Sequence, residues 1–235
     1  MEKTNYLYNG VSLKNNRPTN MDSLLIRQKS INGKNVLIAA VCDGVGSLQN
    51  GDYASGKSAQ MLNDWLEKTK TTDRIGLKMR DTIIWINNCI LSEAEEKNIE
   101  TASTLSALLI AGQYYYIAHI GDSRVYCYED GRLFALTNDD ISESGKLCMY
   151  IGKSRDIFPQ YYEGFAAGKT FLVCSDGLYK RMDTDFLAEK LKACNKKTIK
   201  ELTKSLPLYV MERGERDNIS FAAVKIEGYA IDCIK

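Results

Sequence analysis

Histidine is nearly missing from this 235-residue chain: it occurs once, as His119. A zinc site built on imidazoles and a Ser-His-Asp triad are therefore all but excluded. Proline occurs three times, and no repeat, Pro-rich linker or low-complexity segment divides the sequence, so residues 1–235 are read as a single domain. No apolar run approaches the roughly 20 residues needed to span a bilayer, and the polar opening MEKTNYLYNG does not resemble a signal peptide. A cytoplasmic protein with no membrane partner is expected. Charge of one sign is also lacking, since 31 basic residues face 30 acidic ones and leave a net charge of +1. Nothing here favours nucleic acid as a partner. The seven cysteines are odd in number and show no CxxC spacing, which suits buried reduced thiols better than a disulfide frame.

What the sequence does contain is buried strands ending in aspartate. Residues 36–41, VLIAAV, form an unbroken apolar run rich in β-branched side chains, followed by Cys42, Asp43, Gly44, Val45 and Gly46. Such a run reads as a strand buried on both faces. An Asp at its end is rigidly held, and the glycines permit close approach of backbone and ligand. Further strands are expected at 4–13, 23–30, 104–111, 114–120, 124–129, 133–136, 170–174 and 219–226. Helices are expected at 53–68, 73–97, 183–194 and 197–212, the last interrupted or kinked by Pro207. Met79, Ile83, Ile86 and Ile90 recur at helical spacing and read as core. Residues 138–169 are irregular. Short gaps between strands imply antiparallel hairpins, and the alternation of strand groups with helix pairs predicts an α+β protein of antiparallel sheets covered by helices.

Asp22 precedes SLLI, Asp43 ends VLIAAVC, Asp176 follows TFLVCS, and Asp217 precedes NISFAAV. Singly, each is a turn former. If the strands share one sheet system, their tips converge, and four ionised carboxylates then require cations. All-oxygen donors suit magnesium or manganese, so a binuclear metal site is expected.

Several segments resemble, in order along nearly the whole chain, the metal-dependent serine/threonine protein phosphatases of type 2C. Arg17-Pro18-Thr19-Asn20-Met21-Asp22 is similar to the family's Arg-x-x-Asn-Glu-Asp, and Val41 to Gly46 resembles its Val-x-Asp-Gly-x-Gly. Ala102 to Leu105, His119 to Arg124, Cys174 to Leu178 and Arg216 to Ile219 resemble its remaining motifs. The resemblance implies a four-layer α-β-β-α sandwich, two antiparallel sheets flanked by helix pairs. It implies that Asp43 bridges two Mn2+ or Mg2+ ions, that the Gly44 carbonyl binds one, and that Asp176 and Asp217 complete the other. Asp22 would act through metal-bound water or touch the metal itself. Arg17 would grip the substrate phosphate, and a metal-activated water would attack phosphorus. The substrates implied are phosphoserine and phosphothreonine proteins, with a Ser/Thr kinase as a cognate partner and a monomer as the active form.

Two departures stand out. Met21 replaces a Glu or Gln that orders metal-bound water. Lys180 replaces an Asp that, with Asp122, would hold a weaker third metal, so that site is expected to be impaired or absent. These departures motivate an alternative, a catalytically weak pseudophosphatase that binds phosphoproteins. His119, on a strand beside Ile117 and Ile120, reads as structural. Asp139 and Asp140 read as a turn or helix cap, Trp65 and Trp85 as anchors of the helix layers, and Glu93 as part of a solvated helix end.

Overall fold

The third strand shows how the layers arise. Val36, Ile38, Ala40 and Cys42 pack into one core, Leu37, Ala39 and Val41 into another, and all seven are buried. A strand apolar at every position has no solvent face, so something must cover each side. In the computed structural model, which describes residues 5–46, 48 and 50–227, a helix layer covers one side and a second sheet the other.

The chain begins with β1 (Tyr6–Leu13), β2 (Asp22–Ile31) and β3 (Lys34–Asp43), then α1 (Gly51–Lys68) and α2 (Ile75–Lys97). Next come β4 (Leu105–Ala111), β5 (Tyr114–Ile120), β6 (Arg124–Glu129) and β7 (Arg132–Ala135). It closes with β8 (Gln160–Phe165), β9 (Thr170–Cys174), α3 (Asp176–Tyr179), α4 (Thr184–Lys192), α5 (Thr198–Glu212) and β10 (Ile219–Ile226). One sheet runs β2-β3-β4-β5-β8 and the other β1-β10-β9-β6-β7, with antiparallel pairing throughout. Helices α1 and α2 cover the first sheet through Leu62, Leu66, Met79, Ile83, Ile86 and Ile90. Helices α4 and α5 cover the second through Leu187, Leu191, Leu202, Leu206 and Val210. Between the sheets, Leu37, Val41, Leu108 and Ile110 meet Phe171, Val173, Ala222 and Val224. Each such aliphatic or aromatic side chain contributes roughly 1.5–3 kcal/mol by leaving water. The expected four-layer sandwich is the observed architecture.

Three expectations need correction. Residues 138–169 contain β8, whose sequence QYYEGF lacks apolar alternation because it is a half-buried edge strand. Helix α5 runs through Pro207 without interruption. Trp85 does not anchor its helix: it sits one residue off the buried stripe of α2 and is 55% exposed, whereas Trp65 does pack on the core.

Candidate active site

Strand pairing carries the four aspartates to one end of the sandwich. In the β2–β3 hairpin Asp22 lies directly opposite Asp43. In the other sheet β10 pairs with β9, bringing Ser175 and Asp176 beside Asp217, Asn218 and Ser220, where the Ser175 N–H donates to the Ser220 carbonyl at 2.9 Å. Bonds then tie the sheets together. Ser175 Oγ donates to Asp22 Oδ2 at 2.9 Å, and the Met21 N–H donates to Asn218 Oδ1 at 2.9 Å. Asn218 Nδ2 donates to the carbonyls of Lys14 at 2.8 Å and Thr19 at 3.1 Å, and Asn15 Nδ2 donates to those of Glu215 at 3.0 Å and Asp217 at 2.9 Å, so the β1–β2 connection is held against the segment before β10.

The glycines after Asp43 and Asp176 serve backbone packing. A Cβ on Gly44 would stand 2.5 Å from the Gly51 carbonyl and 2.7 Å from that of Met21. One on Gly177 would lie 1.9 Å from the Asn218 carbonyl oxygen. Any side chain there would push apart the segments that carry the carboxylates.

A cavity of about 660 Å³ opens between these strand tips. Arg17, Asp43, Gly44, Asp122, Asp176 and Asp217 line it, with Met21, Val45, Thr104 and Leu147. Of the residues expected at the site only Asp22 is off the wall; it is 7% exposed and lies behind, bonded to Ser175. Leu147 comes from the irregular segment, which carried no signal in the sequence. Asp122 arrives on the β5–β6 connection, where its carbonyl accepts from Tyr179 Oη at 3.0 Å.

The acidic groups oppose one another's ionisation. Burial pushes the Asp22 carboxyl up to about 6, with Asp176 and Asp217 adding to the effect and bonds from Ser220 and Ser175 resisting it. Burial, followed by the charges of Asp22, Asp176, Asp122 and Asp217, raises Asp43 well above the carboxylate range. Asp122 rises to about 6 through burial and Asp176, with Lys180 opposing. Two basic side chains offset the other carboxylates. Arg17 donates from Nε and Nη2 to both oxygens of Asp217 at 2.9 and 2.7 Å, and Lys180 Nζ lies 2.5 Å from Asp176 Oδ2. Burial works against the Lys180 charge, but the bond to Asp176 and the fields of Asp176, Asp122 and Asp43 outweigh it and hold the ammonium above the ordinary lysine value. With two carboxylates so engaged, no three acidic, Cys or His side chains among the described residues close on one point. The donor set nevertheless fits hard divalent cations: it is all oxygen, concentrated on one wall, and its mutual repulsion is what a cation relieves. Arg17 and Lys180 are 52% and 56% exposed against 34% and 16% for Asp217 and Asp176, so each basic side chain can swing into solvent and leave its carboxylate to a cation.

Asp139 and Asp140 do not cap a helix. Asp139 binds Arg124 Nε and Nη2 at 2.9 and 2.7 Å, and Asp140 accepts from the Gly121 N–H at 2.9 Å and from Gln160 Nε2 at 2.9 Å. Glu93 is likewise engaged, paired with Lys57 at 2.9 Å.

The comparisons with known proteins agree with this geometry. Residues 10–207 match the family model described as Protein phosphatase 2C. The serine/threonine phosphatase stp of Listeria monocytogenes is 29% identical over 219 residues, covering 83% of this chain and 86% of that protein. The catalytic domain of the serine/threonine protein phosphatase PstP, solved with two manganese ions, superposes with a TM-score of 0.80 at 25% identity, covering 94% of this chain and 98% of that one. Stp1 from Staphylococcus aureus superposes with a TM-score of 0.86 at 20% identity, covering 96% and 97%. Carboxylates on paired strand tips, two facing sheets and a family match over most of the sequence converge on one conclusion: the chain belongs to the protein phosphatase 2C family.

Proposed function

We propose that this chain is a metal-dependent protein serine/threonine phosphatase, with Asp43, the Gly44 carbonyl, Asp176 and Asp217 holding two Mn2+ or Mg2+ ions. Asp22 supports them from behind Asp43, and Asp122 stands where a further cation would need it. When bound, two divalent cations supply a water of lowered pKa and neutralise charge on the phosphoryl oxygens. The rest is done by the chain itself. Arg17 is half-exposed at the cavity wall and its guanidinium fork already makes a two-point grip on a carboxylate. Once Asp217 turns to a cation, the same fork fits two oxygens of the substrate phosphate and orients it. Lys180 holds Asp176 and supplies positive charge beside Asp122, so a third cation is disfavoured there. Val45 and Met21 offer no proton or polar atom, so the protein itself orders little water on that wall. Phosphorylated proteins are the substrate class. A partnering Ser/Thr kinase, a monomeric single domain and a cytoplasmic setting complete the reading; among the described residues no helix is long and apolar enough to cross a membrane.

The observation that carries this is the meeting of both sheets' aspartate tips on one cavity with Arg17 beside them. The test is hydrolysis of p-nitrophenyl phosphate with added Mn2+ by the parent, Asp43→Asn and Asp176→Asn. Loss of turnover in both variants is expected, and equal rates in all three overturn the reading. The Lys180–Asp176 pair supports a second reading, a pseudophosphatase that binds phosphoproteins without turnover. Binding of a phosphopeptide by a parent that releases no phosphate from it would favour that one.

A further inference from the structure

His119 is fully buried on β5 and lies off the cavity wall, yet a continuous chain of buried bonds runs from it to Asp43. His119 Nδ1 is 2.7 Å from Ser106 Oγ, and Ser106 Oγ donates to the Ser123 carbonyl at 2.8 Å. Ser123 Oγ is 2.7 Å from Thr104 Oγ1, which accepts the Asp43 N–H at 3.0 Å. The Thr104 N–H returns a bond to the Asp43 carbonyl at 2.8 Å. At the other end of the imidazole, Nε2 is 3.1 Å from the Asn138 carbonyl.

Counting protons limits the states open to the ring. A carbonyl only accepts, so the bond to Asn138 requires a proton on Nε2. Ser106 has one hydroxyl proton, which goes either to the Ser123 carbonyl, with Nδ1 donating to Ser106, or to an unprotonated Nδ1. The bonds are all made only when both ring nitrogens carry protons. Asp140 and Asp139 face the ring from the segment after β7 and favour its charge, Asp139 being shared with Arg124 of β6; β4 and β8 present uncharged Ser106 and Gln160. Burial, the largest influence, outweighs those fields and lowers the ring's pKa below its ordinary value, which favours the neutral form with its proton on Nε2. In that form Nδ1 accepts the Ser106 hydroxyl, so His119 anchors Ser106 in either state of the ring. We propose that His119 is a positioning residue that seats Asp43 through Ser106, Ser123 and Thr104, an inference that rests on Asp43 being a metal ligand.

One histidine in the chain makes the test unambiguous. Nitrogen-15 spectra of the full Mg2+-loaded protein at neutral pH should show a proton fixed on Nε2; a bare Nε2 overturns the proposal. In parallel, His119→Leu should lower kcat on a phosphopeptide about tenfold, the low end for outer partners of a metal site, with KM unchanged and Mn2+ affinity weakened in equilibrium dialysis. His119→Asn, which keeps an amide donor toward Ser106, should recover most of both. Equal behaviour of the Leu and Asn variants counts against a positioning role. If the Leu variant does not fold, Ser106→Ala breaks the same chain by losing only one hydroxyl and should reproduce the loss of kcat and of affinity; parental values overturn the proposal. Should the parent itself release no phosphate, the phosphatase reading fails, while the spectrum and the Mn2+ affinities still decide this one.

Discussion

In one sheet Asp22 and Asp43 face each other across a strand pair, and neither has an ion pair among the described residues. In the other, Asp176 and Asp217 each hold a basic side chain, Lys180 and Arg17. The first pair stores repulsion that only protonation or a bound cation relieves. The second is already compensated and, in the proposed site, would exchange an ion pair for a cation. A metal site divided in this way would free Arg17 and Lys180 for other work when it binds cations.

That contrast can be broken at either end. The largest effect is expected from Asp43→Asn: turnover with saturating Mn2+ should fall roughly 10²–10³-fold, the scale of losing one preorganised electrostatic element. A rate within twofold of the parent would mean the buried pair is not where the cations act.

Next comes pH. The Asp22 carboxyl stands at about 6 in the folded protein against an ordinary 3.8, so between those values the folded state holds a proton that the unfolded state has lost. Stability of the cation-free protein should therefore fall as pH rises from about 4 to about 6, by about 3 kcal/mol from this group. Denaturant titrations should show that slope in the parent and a flatter one in Asp22→Asn; identical slopes would mean that burial does not raise the Asp22 carboxyl. Adding Mn2+ at about 100 times its Kd should contribute about 2.7 kcal/mol, a rise in Tm of roughly 5–10 °C for a chain of this size, and Asp43→Asn should lose most of it.

On the compensated side, Arg17→Lys keeps the charge but loses the fork, and KM for a phosphopeptide should rise about tenfold with kcat nearly unchanged. The smallest energetic change is expected from Lys180→Asp, which should add one cation per chain in equilibrium dialysis without abolishing turnover. An unchanged stoichiometry would show that Lys180 does not guard that position.

The buried half was the easier to read from sequence. Strand β3 is apolar and buried from Val36 to Cys42 because both of its faces are covered, and an Asp ending such a run cannot be an ordinary surface turn. The ion pairs were not legible. Lys180 lies four residues after Asp176, but α3 is a single turn that no periodicity announces. Arg17 meets Asp217 from the other end of the chain, a contact that depends on how β1 pairs with β10. Strand β8 escaped for the opposite reason to β3: at a half-buried edge, burial imposes too little pattern to see. The role of His119 depends on the register of β4 against β5, which sets Ser106 opposite it, and no reading of residues one at a time supplies that.

The amide of Asn218 grips the β1–β2 connection at Lys14, Thr19 and Met21 while its own backbone neighbour is Asp217. Strain arising in either layer is thereby transmitted to the other, so Arg17, Asp22 and Asp217 cannot drift independently as the protein breathes. Fidelity of alignment during turnover is vested in a residue that performs no chemistry, and replacing it should cost catalysis more than it costs folding.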